Sequence, residues 1–260
     1  MERTEQVEII KYEKEGSSSV TDTVVREHPL TILVNGTEVA TLLCTPEDLE
    51  SLAVGFLESE GLISDPECVK EVIISNRSRF CAIEYSGDFE VSLESFGKRV
   101  IRSGCSGEAS FYLKNDMKGC RPVASDLTIT PEAVLGLMKD FLKLDGLFKT
   151  TGGVHSAALA IDGHIALSAE DIGRHNAVDK IFGRCFRQGI DTSQAVMFTT
   201  GRISSEILIK CVRRNVPVIV SRSAPTSLSI GLADQMNVTL GGFARGSRMN
   251  VYTHGERIGK

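Results

Sequence analysis

Nowhere in its 260 residues does the chain carry a long apolar run. Stretches such as Val216 to Val220 fall far short of the roughly 18 residues that a membrane-spanning helix needs, so no membrane partner is expected. The first eight residues, Met1 to Glu8, are charged and mostly acidic, the opposite of a secretory leader, and imply a soluble, cytoplasmic protein. Seven cysteines are scattered without one Cys-x-x-Cys pair, which argues against a disulfide framework. There is no Gly-x-Gly-x-x-Gly and no Walker sequence, so neither a Rossmann-bound dinucleotide nor a nucleoside triphosphate in a P-loop is expected. His254-Gly255-Glu256 matches the His-x-Glu half of a zinc deaminase, but the partner Pro-Cys-x-x-Cys is missing, so no metal ligands are assigned. An overall basic charge is lacking too: the formal net charge is −5, which disfavours a general nucleic-acid binder.

What is present is enough chain, 42% hydrophobic and 24% charged, to bury one large core or two modest ones. The charge is unevenly spread. Residues 1–60 hold 13 Asp/Glu against 4 Lys/Arg, whereas residues 201–260 hold 3 against 9, so the basic end can suit a phosphorylated ligand.

Residues 1–20 are polar, end in Gly16-Ser17-Ser18-Ser19, and read as a loose or edge segment. Residues 21–100 read as a small α+β domain. Leu30 to Val34 and Glu38 to Leu43 flank an Asn35-Gly36 hairpin turn, and Thr45, as N-cap, with Pro46 opens a helix carrying Leu49, Leu52, Ala53, Phe56 and Leu57 on helical spacing. Further strands are expected at Val69 to Ser75, Arg79 to Tyr85 and Phe89 to Leu93. Residues 101–126, rich in Gly and poor in periodicity, read as a mobile cysteine loop and linker. From 127 to 260 strands and helices alternate, with apolar strands at Ala195 to Thr199 and Val216 to Ser221, the pattern of an α/β domain with a mixed sheet flanked by helices.

Three segments of that second half suit an anion. Thr200-Gly201-Arg202 and Ser221-Arg222-Ser223 each follow a strand and precede a helix, where free backbone N–H groups gather. The third, Gly241 to Arg248, brings Arg245 and Arg248 together with Phe243, which could stack on a base. Any one of these, taken alone, is more simply a strand connection with an incidental arginine. Glu170 to Lys180 is dense in polar groups for a helix start. Asp171 there can cap the helix and Arg174 can pair with Asp179 on its surface, or His155, Arg174 and His175 can serve a ligand or proton transfer.

The cysteines separate by setting. Cys44, Cys81, Cys185 and Cys211 lie in or at the ends of strands and helices and read as core thiols, while Cys68 is ambiguous. Cys105, in Arg102-Ser103-Gly104-Cys105-Ser106-Gly107, has no apolar neighbour in sequence, and Arg99 and Arg102 favour its thiolate, so it is the candidate nucleophile. Cys120 is the runner-up.

Taken together these segments resemble the formate dehydrogenase accessory protein family, the FdhD sulfurtransferases, from about residue 24 to residue 257. The resemblance rests on Arg26-Glu27-His28-Pro29-Leu30, Asn35-Gly36, Thr45 to Leu49, Gly55 to Gly61, Thr151 to His155, Glu170 to Lys180, Gly201 to Ser204, Ser221 to Thr226 and Thr239 to Phe243. It implies a cytidine-deaminase-like second domain, a homodimer, and a sulfur relay from a cysteine desulfurase to the molybdenum of a bis-molybdopterin guanine dinucleotide cofactor needed by formate dehydrogenase. In that relay Cys105 is implied as the persulfide carrier, and Phe243, Ala244, Arg245, Gly246, Ser247 and Arg248 as the cofactor-binding segment. Arg202, Arg222, Ser223, His155, Arg174 and His175 complete the candidate binding set. One departure stands out: Cys105 is followed by Ser106, Gly107 and Glu108, so the second thiol of members with Cys-x-x-Cys is missing. That leaves a non-catalytic cofactor chaperone as the alternative.

Overall fold

The structure, a computed structural model, describes residues 1–75, 79–89, 117 and 119–259. Three sheets organise it. The N-terminal residues form a two-stranded antiparallel ribbon, β1 (Thr4–Glu13) and β2 (Gly16–Val25), registered Thr4↔Val25 through Glu13↔Gly16. The loose segment expected for residues 1–20 is therefore one strand, a turn and half of another. Its alternation is carried by Thr, Ser and Val on a mostly solvated ribbon, a pattern too polar for a hydrophobic period to reveal.

A four-stranded sheet follows, in the order β4-β3-β6-β5: β3 (His28–Val34), β4 (Thr37–Cys44), β5 (Val69–Ser75) and β6 (Phe80–Tyr85). The burial of β3 alternates strictly, with His28, Leu30, Ile32 and Val34 inward, so one face of the sheet is packed. Helix α1 (Leu49–Ser59) covers it, and Leu52, Ala53, Val54 and Leu57 are fully buried there. The helix begins later than the sequence suggests. Asp48, not Thr45, stands at the N-cap, in the left-handed region and without a side-chain cap bond. Thr45 is buried and spends its hydroxyl elsewhere. The strand expected at Phe89 to Leu93 lies, beyond Phe89, outside the described residues.

The second half holds a six-stranded mixed sheet in the order β12-β11-β10-β9-β7-β8. Its strands are β7 (His155–Ile161), β8 (His164–Asp171), β9 (Val196–Thr199), β10 (Val218–Ser221), β11 (Thr239–Arg245) and β12 (Arg248–Thr253). β9, β10 and β11 run parallel, and β7 runs antiparallel to β9, which brings the start of β7 beside the end of β9. Each face is covered by helices. Helix α2 (Pro131–Lys143), capped by Thr130, lays Val134, Leu137, Met138 and Phe141 against Ala158, Phe198 and Val220. The opposite face carries α4 (Arg174–Gln188), α5 (Ser205–Arg213) and α6 (Ser227–Gln235) over Leu159, Met197, Ile219 and Leu240. The short helix α3 (Leu147–Thr151) has its first two N–H groups satisfied by the Glu170 carboxylate of β8, at 2.5 and 3.1 Å. The α+β and α/β fold class expected from the sequence is the one observed.

The two halves meet where α1 crosses α4. A methyl group on Gly55 would stand 1.9 Å from the Asp179 carbonyl oxygen, and one on Gly183 1.9 Å from that of Ser51, so the two backbones touch and only glycine fits at both points. Gly183→Ala is expected to force the helices apart, at a cost of about 1–3 kcal/mol or more, seen as a fall in Tm of roughly 2–4 °C per kcal/mol. Gly136→Ala, where added bulk meets nothing within 4 Å, is the control and leaves Tm unchanged or raises it. Thermal melts of the two variants check this, and equal Tm values for Gly183→Ala and wild type would refute the close crossing.

Candidate functional site

The chain folds so that several strand ends open on one edge of the six-stranded sheet. Thr199 to Arg202 leave β9, Ser221 to Ser223 leave β10, and His155 starts β7 beside them. The loops are tied to one another. Arg222 N–H donates to the Thr199 carbonyl at 3.0 Å, Ser221 Oγ–H to the Gly201 carbonyl at 2.6 Å, and Phe243 N–H to the Ser223 carbonyl at 2.9 Å. Arg245 Nε–H donates to the Arg222 carbonyl at 3.1 Å. Gly201 is closely approached: a methyl group there would stand 3.1 Å from Arg174 Cβ and 3.5 Å from His155 Nδ1. Arg174 and His175, the first residues of α4, thus share this edge with His155 and Gly201.

Cations dominate the edge. Arg202, Arg222 and Arg245 are exposed, and Arg174 Nε is buried without a hydrogen-bond partner among the described residues. The histidines add no positive charge. Burial first, then Arg174 and Arg202, lower the His155 pKa. Burial, then Lys210, Arg174 and His155, lower that of His175 to about 3. Neutral His175 lies 3.3 Å from Ser204 Oγ and 3.1 Å from Glu206 Oε2, so it positions the N-cap of α5 by hydrogen bonding rather than as an ion. Guanidinium groups around backbone turns, with imidazoles held neutral, suit an anion whose charge stays constant near neutral pH.

The three anion segments do not share one geometry. The first two are strand-to-helix turns as expected, each ending in a capped helix, at Ser204 and at Thr226. The third is the β11–β12 hairpin, with its turn at Gly246 and a register shift between Gly242 and Arg245. Along it Phe243 is exposed and held in the left-handed region at φ 53°, an uncommon conformation for a bulky residue. Arg245, Gly246, Ser247 and Arg248 are exposed, whereas Ala244 is buried in the apolar core beneath the sheet and offers a ligand no side chain.

The polar helix start at Glu170 to Lys180 does two jobs, of which the larger was hidden. Asp171 does not cap α4, whose N-cap Gly173 makes no side-chain bond. The fully buried Asp171 carboxylate instead accepts from Thr45 N–H at 3.0 Å and Thr45 Oγ1–H at 2.9 Å, and pairs with Lys180 at 2.7 Å. Asp179 does not pair with Arg174 either. It is buried, accepts from Ser59 Oγ–H at 2.8 Å, and takes both short bonds from Lys210, at 2.7 and 2.8 Å. Burial opposes the charge on Lys210, but Asp179 and Glu60 outweigh it and raise its pKa. The signal for this network was present in sequence: Asp179 and Lys180 sit among Ala177, Val178, Ile181 and Phe182, and Lys210 among Ile207, Leu208, Ile209 and Cys211.

Cys105 lies outside the described residues. Among the described ones no group of His, Cys, Asp and Glu is placed to hold a metal ion, and no helix is long and apolar enough to cross a membrane. Burial raises the thiol pKa of Cys44 and Cys81 to about 12 and of Cys185 to about 11, and pushes Cys211 up further. Cys68 and Cys120 are half-buried.

A mixed α/β sheet whose strand ends gather arginines and neutral imidazoles is joined, where α1 crosses α4, to a smaller α+β layer. The chain belongs to the FdhD/NarQ family, whose model matches residues 25–259. It is similar to the sulfur carrier protein FdhD of Bacillus subtilis, 41% identical over 251 residues covering 96% of each chain. The sulfur carrier protein FdhD of Staphylococcus haemolyticus is 43% identical over 250 residues, covering 96% of this chain and 95% of that one. A crystal structure described as a formate dehydrogenase accessory protein from Desulfotalea psychrophila superposes with a TM-score of 0.82 at 26% identity, covering 99% of this chain and all of the other.

The thiol chemistry yields an expectation for the folded protein. With iodoacetamide at pH 8, Cys44, Cys81, Cys185 and Cys211 stay unmodified in native protein and react once it is unfolded. Peptide mapping by mass spectrometry reads this, and native labelling at any of the four would contradict the burial described.

Proposed function

We propose that the protein is a sulfur carrier in formate dehydrogenase maturation, working as a sulfurtransferase in the cytoplasm and as a homodimer. A cysteine desulfurase is the donor. The Cys105 thiolate attacks the terminal sulfur of the donor's persulfide, the donor thiol leaves, and Cys105 holds the sulfur as its own persulfide. The substrate that receives it is the molybdenum of a bis-molybdopterin guanine dinucleotide in its reduced Mo(IV) state: the persulfide S–S bond breaks, Cys105 leaves as the thiolate, and the metal gives up the two electrons that turn the transferred sulfur into a sulfido ligand. A single thiol suffices for this sequence of steps, so the absent second cysteine is no obstacle.

The observation that carries the reading is the convergence of Arg174, Arg202, Arg222 and Arg245 on one sheet edge, in a family whose curated relatives are named sulfur carriers. A guanine dinucleotide presents diphosphates that suit such an edge, and Phe243, held outward by its backbone, offers a face for a base. The raised thiol pKa values of the four buried cysteines support Cys105 by narrowing the choice of carrier. The alternative, a chaperone that holds the cofactor without transferring sulfur, is favoured only by the lone cysteine of the Cys105-Ser106-Gly107-Glu108 segment.

Intact-protein mass spectrometry tests the proposal directly. Wild type and Cys105→Ala are incubated with a cysteine desulfurase and free cysteine, with and without reductant. The expected result is a reductant-labile gain of sulfur on wild type alone. Equal labelling of both proteins, or none on either, overturns Cys105 as the carrier.

A further inference from the structure

The segment Arg26-Glu27-His28-Pro29 has no part in the basic edge, yet it builds a second feature. Between the foot of the β1–β2 ribbon and the first residues of β3 and β6 lies an open groove of about 550 Å3, with Val25, His28, Pro46 and Arg79 on its walls. The ribbon's foot is fixed there by Arg26 N–H donating to the Arg3 carbonyl at 2.9 Å, and by Val25 against Gly153. His28 is only 8% exposed, and its Nε2 is buried with no hydrogen-bond partner among the described residues. Such orphaned groups are uncommon in folded proteins and call for an explanation. Burial, then the charges of Arg79 and the N-terminal ammonium, lower the His28 pKa, so the ring is neutral and Nε2 can donate a single N–H.

The cations around the groove are not equivalent. Arg26 is engaged by Glu2 at 3.4 Å and Glu5 at 3.5 Å. Arg79 is exposed, sits in the left-handed region at φ 58°, and its guanidinium has no ion pair or hydrogen bond among the described residues. Glu2, Glu5 and Glu27 line the same groove against Arg26, Arg79 and the Met1 ammonium, so the formal charges of its lining residues balance and a multiply charged phosphate finds no surplus of positive charge. One uncommitted guanidinium fork and one neutral imidazole donor match a group with a single negative charge and two acceptor oxygens.

We propose that this groove is a carboxylate-binding site, in which Arg79 holds a singly charged carboxylate and His28 Nε2–H donates to one of its oxygens. The carboxylate is either a free small acid or the C-terminal end of a peptide, and the open side of the groove admits both.

Histidine NMR of the full chain, titrated with acetate, with trialanine and with trialanine amide, tests it. The expected result is movement of the His28 resonances with acetate and trialanine but not with the amide, and about tenfold weaker binding in Arg79→Gln, whose exposed side chain makes no contact the fold needs. Trialanine binding more tightly than acetate identifies a peptide end, and equal affinity a free acid. Unmoved His28 resonances up to about 100 mM acetate or trialanine, well above a millimolar dissociation constant, overturn the proposal. So does unchanged affinity in Arg79→Gln.

Discussion

Two buried carboxylate–lysine pairs on and beside α4, Asp171 with Lys180 and Asp179 with Lys210, hold the architecture in register. Taking four charges out of water is expensive, and attraction offsets that cost only where every remaining lone pair and proton is satisfied. Here part of the satisfaction comes from within the second half, where Gly173 N–H and the Asn176 amide donate to Asp171 Oδ1, and part from the first half. Thr45 and Ser59, from the first hundred residues, supply the hydroxyls and N–H that complete each pair. Neither half can turn on the other without uncovering a buried charge, and breaking such a pair typically costs about 3–5 kcal/mol. The direct contact of Gly55 with α4 then follows as a geometric requirement, because the hydroxyls reach the carboxylates only if the helix backbones touch.

That constraint reaches the basic edge. Arg174 and His175 begin the helix whose following turns carry Asp179, Lys180 and Gly183, so the residues facing the β9 and β10 loops are fixed by the same helix that joins the two halves. Ion pairs at its outer side, Arg184 with Asp48 at 2.6 Å and Arg187 with Glu50 at 2.8 Å, extend the attachment. The site is therefore preorganised from behind, by packing that no ligand has to induce.

Much of this was legible in the sequence, for identifiable reasons. The Asn35-Gly36 hairpin was legible because turn chemistry is local, and β9 and β10 were evident, with the turns leading from them into helices, because a strand buried on both faces is apolar throughout. The ribbon at residues 4–25 was missed because a solvated two-stranded sheet carries little hydrophobic signal, and Thr45 misled because Ser and Thr cap helices far more often than they complete a buried ion pair. The third candidate anion segment differs in kind from the other two: Gly246 marks a hairpin turn, and the strand register buries Ala244. Asp179 was read as a surface partner of Arg174 because a charged residue on an apolar helix face is rarely buried.

In the proposed relay a thiol carries sulfur and a separate basic edge holds the anionic substrate. The most direct test is to load wild type, Cys105→Ala and Arg174→Gln with sulfur and, separately, to ask each to restore formate dehydrogenase activity in a strain lacking its own carrier. Both variants are predicted to fail at restoration, while only Cys105→Ala fails to load. Restoration of activity by either variant, or loss of loading in Arg174→Gln, would contradict the division.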